Sequence, residues 1–391
     1  MASAVKLKLA PPIAQAGFLG LILFSLGHFF IDLYSAALGT FQPVLGDRLG
    51  LSLTQAGILG GMMGLSSSVM QPVWGFLSDR FHTRLFSALA PAVAGIFISA
   101  LGIAPSFGWL IFLVVLGGMG IASFHPQASA RATLGLAGNR GRWMAIFISA
   151  GTLGLAFGPT YFSTWLTLAG PLRTCWAAIP GVLITVLLLV MLPVHDPPAG
   201  PRQRYEWRPL AAVWKPLTVL YFLVFIRSVV QVVFSQFLPL YLHRERGFTI
   251  ADASYSLSLY LAFGAVGGFL GGHMADRFGG RKVIMISMIG CLPFLALFFL
   301  TGGALSILGL ALTGLVLLFT IPVNVVMAQE LVPSQSGTVS ALMMGFAWGM
   351  AGLIFIPLTG WLGDQITLGR ALAAVAMFPA AGFLLSLKLP K

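Results

Sequence analysis

Ionisable side chains within apolar stretches are the residues of this chain best suited to do chemistry. His28 and Asp32 lie four residues apart in one apolar run, so they share a face of a helix. Arg227 and Gln231 repeat this spacing in an apolar run of the second half. A charged group in hydrocarbon costs at least ~2.5–3.5 kcal/mol on insertion scales, so such residues usually mark an ion or substrate pathway. The two pairs therefore predict a site for a proton and a charged solute.

Each of these side chains suits a different step. Arg227 is always charged and would attract an anionic group such as a phosphonate or a carboxylate. Asp32 would take up a proton on one side of a membrane and release it on the other, with His28 and Arg227 tuning its proton affinity. Proton and solute would compete for Asp32 and Arg227, which couples their flows. The alternative is a structural Asp32–Arg227 ion pair that only holds two bundles together.

The elements that position these residues must be membrane helices. Hydrophobic residues make up 58% of the 391 residues and charged residues 8%, with a mean hydropathy of +0.95, whereas soluble domains carry roughly 25% charge. A bilayer span needs about 20 apolar residues. The sequence predicts twelve such spans and an all-α membrane protein, with spans near 17–43, 54–78, 85–104, 108–130, 144–168, 173–192, 215–242, 252–274, 283–302, 305–329, 337–362 and 369–387.

The spans fall into two related halves. The segment GFLSDRFHTR at 75–84 recurs as GHMADRFGGR at 272–281, which is 197 residues later. A Pro- and Arg-rich segment at 193–214 reads as a cytoplasmic linker between an N-terminal bundle at 1–192 and a C-terminal bundle at 215–391. Because each half has six helices, the halves are expected to be parallel, pseudo-symmetric repeats about an axis along the membrane normal.

The net charge of +12 reports orientation rather than a nucleic-acid partner. If both termini are cytoplasmic, sixteen Lys and Arg residues fall in short cytoplasmic segments and five on the other side, which is the positive-inside bias. This predicts a multi-pass protein of the inner (plasma) membrane. Two cysteines, Cys175 and Cys291, offer neither a disulfide framework nor a metal-ligand spacing.

Several motifs carry a resemblance to a known family. They are His28 with Asp32, FHP at 124–126, AQELVP at 328–333 and the Gly-rich stretch at 336–353. With these motifs the chain resembles the major facilitator superfamily over its whole length, and more narrowly the fosmidomycin resistance protein family of proton-coupled drug exporters. One position departs from that family, because Gln127 stands where its pattern has Glu after FHP. The substitution removes a titratable group that could carry a proton.

The resemblance implies a site and a latch. In the superfamily arrangement, helices one, four, seven and ten line a central cavity, and Tyr34 is a candidate for its wall. That cavity would gather His28, Asp32, His125, Arg227, Gln231 and Asn324. The two loop signatures would latch the bundles on the cytoplasmic side and release them on inversion, unless they serve only as topology anchors. The latch residues would be Asp79, Arg80, Arg84, Asp276, Arg277 and Arg281, with Glu330 as a partner of Arg277 or Arg281.

These features predict a monomeric alternating-access carrier that exports a small amphiphilic or anionic compound in exchange for protons. Uptake symport or facilitated transport of a small organic anion is the closest alternative. A membrane sensor built on a transporter scaffold and a metal-ion carrier using His28, Asp32 and His125 also stay open. No G-x-S-x-G, Walker or H-E-x-x-H motif is present, so the sequence predicts no enzyme activity, no cofactor, no bound metal and no ATP-driven transport.

Overall fold

A computed structural model describes residues 13–81, 83–136, 140–192 and 207–389, and it is built from helices. Most of the predicted linker, 193–206, lies outside this part of the chain. We number the membrane helices α1 to α12. In the first bundle they are α1, Ile13–Ser35 continuing as Ala37–Leu49; α2, Leu53–Gly64, a π-helical turn Leu65–Val69 and Gln71–Phe81; α3, Leu85–Ser99 with a 3₁₀ turn Ala100–Ile103; α4, Phe107–Arg131; α5, Arg140–Leu168; and α6, a 3₁₀ turn Pro171–Ala178 continuing as Ile179–Met191.

The second bundle follows a short helix at Trp207–Ala212. Its members are α7, Trp214–Arg244; α8, Ile250–Phe278; α9, Gly280–Leu300; α10, Gly303–Leu317 and Thr320–Leu331; α11, a 3₁₀ turn Pro333–Gln335, Ser336–Ala341, a π-helical turn Leu342–Phe346 and Ala347–Gln365; and α12, Leu368–Val375 and Phe378–Ser386.

The twelve-helix fold predicted from the sequence is confirmed. Within the described residues, every helix of the twelve except α2 is long and apolar enough by itself to cross a membrane. The helix α2 packs against α4 along its length and against α11 as far as its π-helical turn, and it completes the first bundle. Several helices run past their apolar predictions: α1 continues to Leu49 and α5 begins at Arg140. The added turns at the ends of these helices contain polar residues, so a prediction based on apolar runs does not include them.

Each bundle has its own apolar core. One core draws only on residues between Leu21 and Leu192, where α1 packs on α5 and α3 packs on α4 and α6. Two further cores lie mainly in the second bundle, where α8 and α9 both pack on α10. With an even number of helices, α1 begins and α12 ends on the same face of the molecule, which we call the terminal face.

The repeat extends to the chemistry of the helix ends. Ser52 caps α2 by accepting a hydrogen bond from the Gln55 N–H at 3.1 Å. Thr249 caps α8 by accepting one from the Asp252 N–H at 3.1 Å, also 197 residues on. An N-cap hydroxyl satisfies a backbone donor that the helix leaves unpaired. The two halves therefore begin their second helices in the same way.

The last arginine of each loop signature also has the same role in both halves. Arg84 donates a hydrogen bond to the carbonyl of Leu192, at the end of α6. Arg281 donates one to the carbonyl of Leu387 at 3.0 Å, just after α12. Each arginine thus ties its signature loop to the sixth helix of its own bundle.

The bundles meet most closely on the face opposite the terminal face. There α2 packs on α11, α5 packs on α8, and the second part of α1 packs on α7. The first of these contacts brings backbone against backbone: a Cβ placed on Gly57 would lie 2.8 Å from the carbonyl oxygen of Ile356, and one on Gly360 would lie 2.2 Å from that of Leu53. Only glycine permits such an approach. The opposite face is therefore closed.

Toward the terminal face, α2 and α11 part. The π-helical turns at Leu65–Val69 and Leu342–Phe346 lie at the end of the close contact, and the two turns contact each other. Beyond them, a Cβ on Gly337 of α11 would meet nothing within 4 Å, and one on Gly75 of α2 would meet Pro126 of its own bundle. The molecule is thus closed on the opposite face and opened toward the terminal face.

Candidate functional site

A cavity lies between the two bundles and holds about 110 Å³ of water-accessible space, room for several water molecules. Both bundles supply its walls, so any solute in it touches both halves of the repeat. The helices α1, α2, α4 and α5 line one side, and α7, α8 and α11 line the other. The polar lining residues are Asp32, Ser35, Ser67, Ser68, Gln71, His125, Gln231, Ser235, Gln236 and Trp348.

Asp32 is the centre of a buried polar triad on this wall. Its Oδ2 lies 3.3 Å from Nε2 of His28, and its Oδ1 lies 3.5 Å from Nε2 of His125. His28 in turn has Nδ1 2.8 Å from the carbonyl oxygen of Phe147. Because a carbonyl only accepts hydrogen bonds, that ring nitrogen carries a hydrogen and the other faces the carboxylate. The triad joins α1, α4 and α5.

Glycine on α5 makes room for the triad. A Cβ on Gly151 would lie 2.4 Å from Nε2 of His28 and 2.6 Å from Oδ2 of Asp32. One turn further, a Cβ on Gly154 would lie 2.0 Å from the carbonyl oxygen of Phe29. Gly151 and Gly154 therefore let α5 pack closely against α1 beside His28 and Asp32. Close helix packing is the structural role of these two glycines.

Arg227 lies one helical turn from the cavity wall. It is 7% exposed, and its guanidinium donates a hydrogen bond to Oε1 of Gln231. Its Nε has no hydrogen-bond partner among the described residues. Asp32 is joined to the two histidines instead, so the Asp32–Arg227 pair considered from the sequence is absent from the described ion pairs.

The structure keeps two further expected residues away from the cavity. Tyr34 is fully buried, donates a hydrogen bond to the carbonyl of Ala177 at 3.0 Å and accepts one from the N–H of Gly181 at 2.9 Å. It pins α1 to α6. Asn324 is also fully buried, and its amide atoms have no partner among the described residues. No residue of α10 belongs to the cavity lining, and residues of α2, α5, α8 and α11 do.

The structure locates most of the side chains expected to form a latch on the terminal face. Asp276, Arg277 and Arg80 are exposed, and Arg277 stacks over the ring of Phe278 at 5.4 Å. Glu330 and Arg281 line one hollow of about 760 Å³ at the terminal end of the second bundle. The side chain of Asp79 lies outside what the structure describes. A latch between the two signatures therefore stays a prediction for the state that is closed on the terminal face.

Sequence reasoning missed the contacts that close the opposite face. Asp364 of α11 accepts hydrogen bonds at the first turn of α2, and Asp47 of α1 lies 3.2 Å from Arg244 of α7. Thr160 of α5 donates to Ser258 of α8 at 2.8 Å. Asp47, Arg244 and Asp364 sit near helix ends, where polar residues are common, so only their cross-bundle pairing distinguishes them.

Gln127 is part of the scaffold of the first signature loop. Its Oε1 accepts hydrogen bonds from the Ser87 N–H at 2.9 Å and the Ser87 hydroxyl at 2.5 Å. Its Nε2 donates to the Ser78 hydroxyl and to the carbonyl of Thr83, both at 2.7 Å. All four hydrogen-bonding positions of the amide are filled. The residue that departs from the family pattern is thus a structural link between α4 and the α2–α3 loop.

The triad also has the ligand types of a metal site. The candidate ligand atoms of His28, Asp32 and His125 all lie within 4.8 Å of one another. In the same geometry each oxygen of the carboxylate faces one imidazole nitrogen, so a proton can lie between Asp32 and either histidine. We describe it as a polar triad that can hold or pass a proton.

Two six-helix bundles around a shared polar cavity define a secondary-transporter fold. Comparison with known proteins agrees: residues 24–356 match the family model of the Major Facilitator Superfamily, and the chain belongs to that family. Proteins of this family carry small molecules and are not enzymes.

Individual relatives cover nearly the whole chain. It is 31% identical over 373 residues to the MFS-type transporter YfnC of Bacillus subtilis, spanning 93% of this chain and 91% of the relative. It is 28% identical over 381 residues to the fosmidomycin resistance protein of Escherichia coli, spanning 94% and 91%. Among solved structures, an inward-facing, unoccupied bacterial homologue of the human lysosomal transporter Spinster superposes with a TM-score of 0.83 at 15% identity, covering 97% of this chain and 98% of that one.

Proposed function

We propose that this transporter is a proton-coupled exporter of small anionic or amphiphilic compounds. The observation that carries the proposal is Asp32, buried on the cavity wall with a histidine at each carboxylate oxygen. A titratable group in a cavity that changes sides can carry a proton across the membrane. His28 and His125 would share or relay that proton.

The anionic character of the solute follows from the charge of the second bundle. Arg227 is buried beside the cavity, and the described residues place no carboxylate against it. A buried cation without a counterion costs several kcal/mol, so a visiting anion would relieve that cost. A compound with a phosphonate or carboxylate would meet Asp32 and His125 on one wall and Gln231, with Arg227 behind it, on the other.

The direction of transport is proposed from orientation and relatives. The positive-inside bias supports a cytoplasmic terminal face, which makes the state described here open to the cytoplasm and closed to the outside. In that state a cytoplasmic solute has access to the cavity. The name of the Escherichia coli relative suggests a phosphonate antibiotic as a test solute and the inner membrane as the location. The solute would leave as protons enter.

The test is transport by purified protein in liposomes with an imposed pH gradient and fosmidomycin as the solute. We expect the solute to accumulate on the acidic side, because exchange moves it against the flow of protons. Accumulation on the alkaline side would instead support the uptake symporter. Asp32→Asn should abolish the gradient-driven flux and keep equilibrium binding of the solute, whereas Asp252→Asn, which removes an exposed carboxylate far from the cavity, should behave as the parent protein.

Two results would overturn the proposal. Undiminished gradient-driven flux in Asp32→Asn would remove this residue as the proton carrier. Loss of flux on chelation, with recovery on adding a divalent cation, would favour the metal-ion carrier, since the triad offers suitable ligand atoms.

A further inference from the structure

Arg227 acts on the cavity from behind another residue. Arg227 and Gln231 lie on one face of α7, yet only Gln231 belongs to the cavity lining. Arg227 is 7% exposed and donates its hydrogen bond to Oε1 of Gln231. A solute in the cavity of this state therefore meets the amide first, with the guanidinium one layer deeper.

The chemistry of the two groups fixes how the amide is turned. A guanidinium has only donors, so the amide atom that faces Arg227 must be the oxygen. The two N–H donors of Gln231 are then left for the cavity. A hydrogen bond to a charged group is roughly twice as strong as a neutral one, and chains of hydrogen bonds polarise one another. The Gln231 amide nitrogen is thus a donor strengthened by the cation behind it.

A second donor is on the same side of the cavity. Trp348 of α11 belongs to the lining, and its indole Nε1 is buried with no hydrogen-bond partner among the described residues. An indole N–H can only donate, and a buried donor without a partner calls for an explanation. An acceptor atom on a bound solute is such an explanation.

We propose that Gln231 and Trp348 are the residues that bind the solute's anionic oxygen, and that Arg227 is a positioning residue that orients the Gln231 amide and lends it positive charge. This inference rests on the proposed function and makes its substrate class specific: a compound that presents a phosphonate or carboxylate oxygen to two N–H donors. An ammonium group would face donors here and is rejected. Without Arg227 the amide can turn over, and the preference for acceptors is lost.

The experiment is a double-mutant cycle on binding, measured without a pH gradient so that proton coupling does not enter. The probes are fosmidomycin and its neutral phosphonate diester. The parent protein should prefer the anion by about 10- to 100-fold, the range expected for one charge-assisted hydrogen bond. Arg227→Met and Gln231→Leu should each remove most of that preference, and the double variant should lose no more than either alone. Trp348→Phe should weaken binding of the anion and spare that of the diester.

The controls separate positioning from charge and from folding. Arg227→Lys keeps a cationic donor behind the amide and should rescue part of the preference. Arg370→Met removes an exposed charge on α12 and should bind as the parent protein does. Each variant is first shown to be monodisperse in detergent.

Three results would overturn the inference. A preference that survives Gln231→Leu while Arg227→Met destroys it would mean that the guanidinium binds the solute directly. Losses of preference that add up in the double variant would also mean that the guanidinium and the Gln231 amide bind the solute independently. A parent protein that binds neither probe would refute the anionic substrate class as well, whereas normal binding with no proton-driven flux would fault only the proposed coupling.

Discussion

Asp364 on α11 caps α2 at Thr54, across the boundary between the two bundles. Its Oδ2 accepts hydrogen bonds from the Thr54 N–H at 2.8 Å and the Thr54 hydroxyl at 2.6 Å. Its Oδ1 accepts one from the Leu53 N–H at 2.9 Å. A carboxylate at a helix N-terminus satisfies unpaired donors and favours the positive end of the helix dipole. Because the cap comes from the other bundle, opening of this face must break it.

The first prediction is that Asp364→Asn shifts the protein toward the state open on the opposite face. An Asn side chain offers one acceptor oxygen and no charge, so the cap loses about 1–2 kcal/mol and the equilibrium between states shifts by roughly 5- to 30-fold. The shift is measured as a longer spin-label distance between Cys175 and a cysteine introduced at Arg370, in a Cys291→Ser background.

The control for this experiment is Asp252→Asn. Asp252 lies at the first turn of α8 and is capped by Thr249 within its own bundle, so its loss should leave the distance distribution unchanged. Equal shifts in both variants, or none in Asp364→Asn, would show that the cross-bundle cap does not hold this face closed.

The second prediction concerns the weaker contact on the same face. Asp47 is paired with Arg244 at 3.2 Å, but the Asp47 side chain is 60% exposed. Exposed ion pairs contribute about 0–1 kcal/mol and are screened by salt. Asp47→Asn should therefore lengthen the same spin-label distance less than Asp364→Asn does, and the difference from the parent protein should vanish at high salt. A salt-independent shift would contradict this assignment.

The third prediction is that Gly151→Ala disables the triad. The added methyl group would overlap both His28 and Asp32, and forced overpacking costs about 1–3 kcal/mol. We expect lost proton-driven flux and a lower melting temperature, with insertion into the membrane intact. The matched control is Gly20→Ala on α1, where a Cβ meets nothing within 4 Å. Normal flux in Gly151→Ala would mean that the triad tolerates displacement.

The fourth prediction is that Gln127→Glu destabilises the first signature loop. A carboxylate cannot donate to the Thr83 carbonyl, and losing that hydrogen bond costs about 0.5–1.5 kcal/mol, because Arg131 still donates to the same carbonyl at 3.4 Å. The loss should be smaller in acid, because a protonated carboxyl regains one donor. Thermal unfolding of both proteins across a pH series measures this difference. A constant difference at all pH values would show that the donated hydrogen bond is not the cause.

The helices and the repeat could be predicted from the sequence because both depend on local patterns. Runs of apolar residues and the paired loop signatures need no knowledge of packing. His28 and Asp32 could be placed together because four residues make one helical turn, and the structure brings His125 to the same carboxylate. Their roles in transport stay predictions until the mutants are measured.

Other placements depend on the angle at which a helix faces its neighbours, which one sequence does not report. Tyr34 lies one half-turn from Asp32 and so points into its own bundle, where it pins α6. Asn324 belongs to α10, which stays behind the cavity wall, while Trp348 of α11 reaches it. Arg227 could be predicted from the sequence as a charge within the membrane. Its position behind Gln231 depends on the conformation of its side chain, which the sequence does not report.

The two π-helical turns, one in α2 and one in α11, lie beside the cavity between the bundles. Ser67 and Ser68 belong to the turn in α2, and Trp348 follows the turn in α11 by two residues. All three residues line the cavity. A solute in the cavity therefore contacts the π-helical turn of α2 and lies next to that of α11. The solute site thus lies at the level where α2 and α11 begin to separate toward the terminal face.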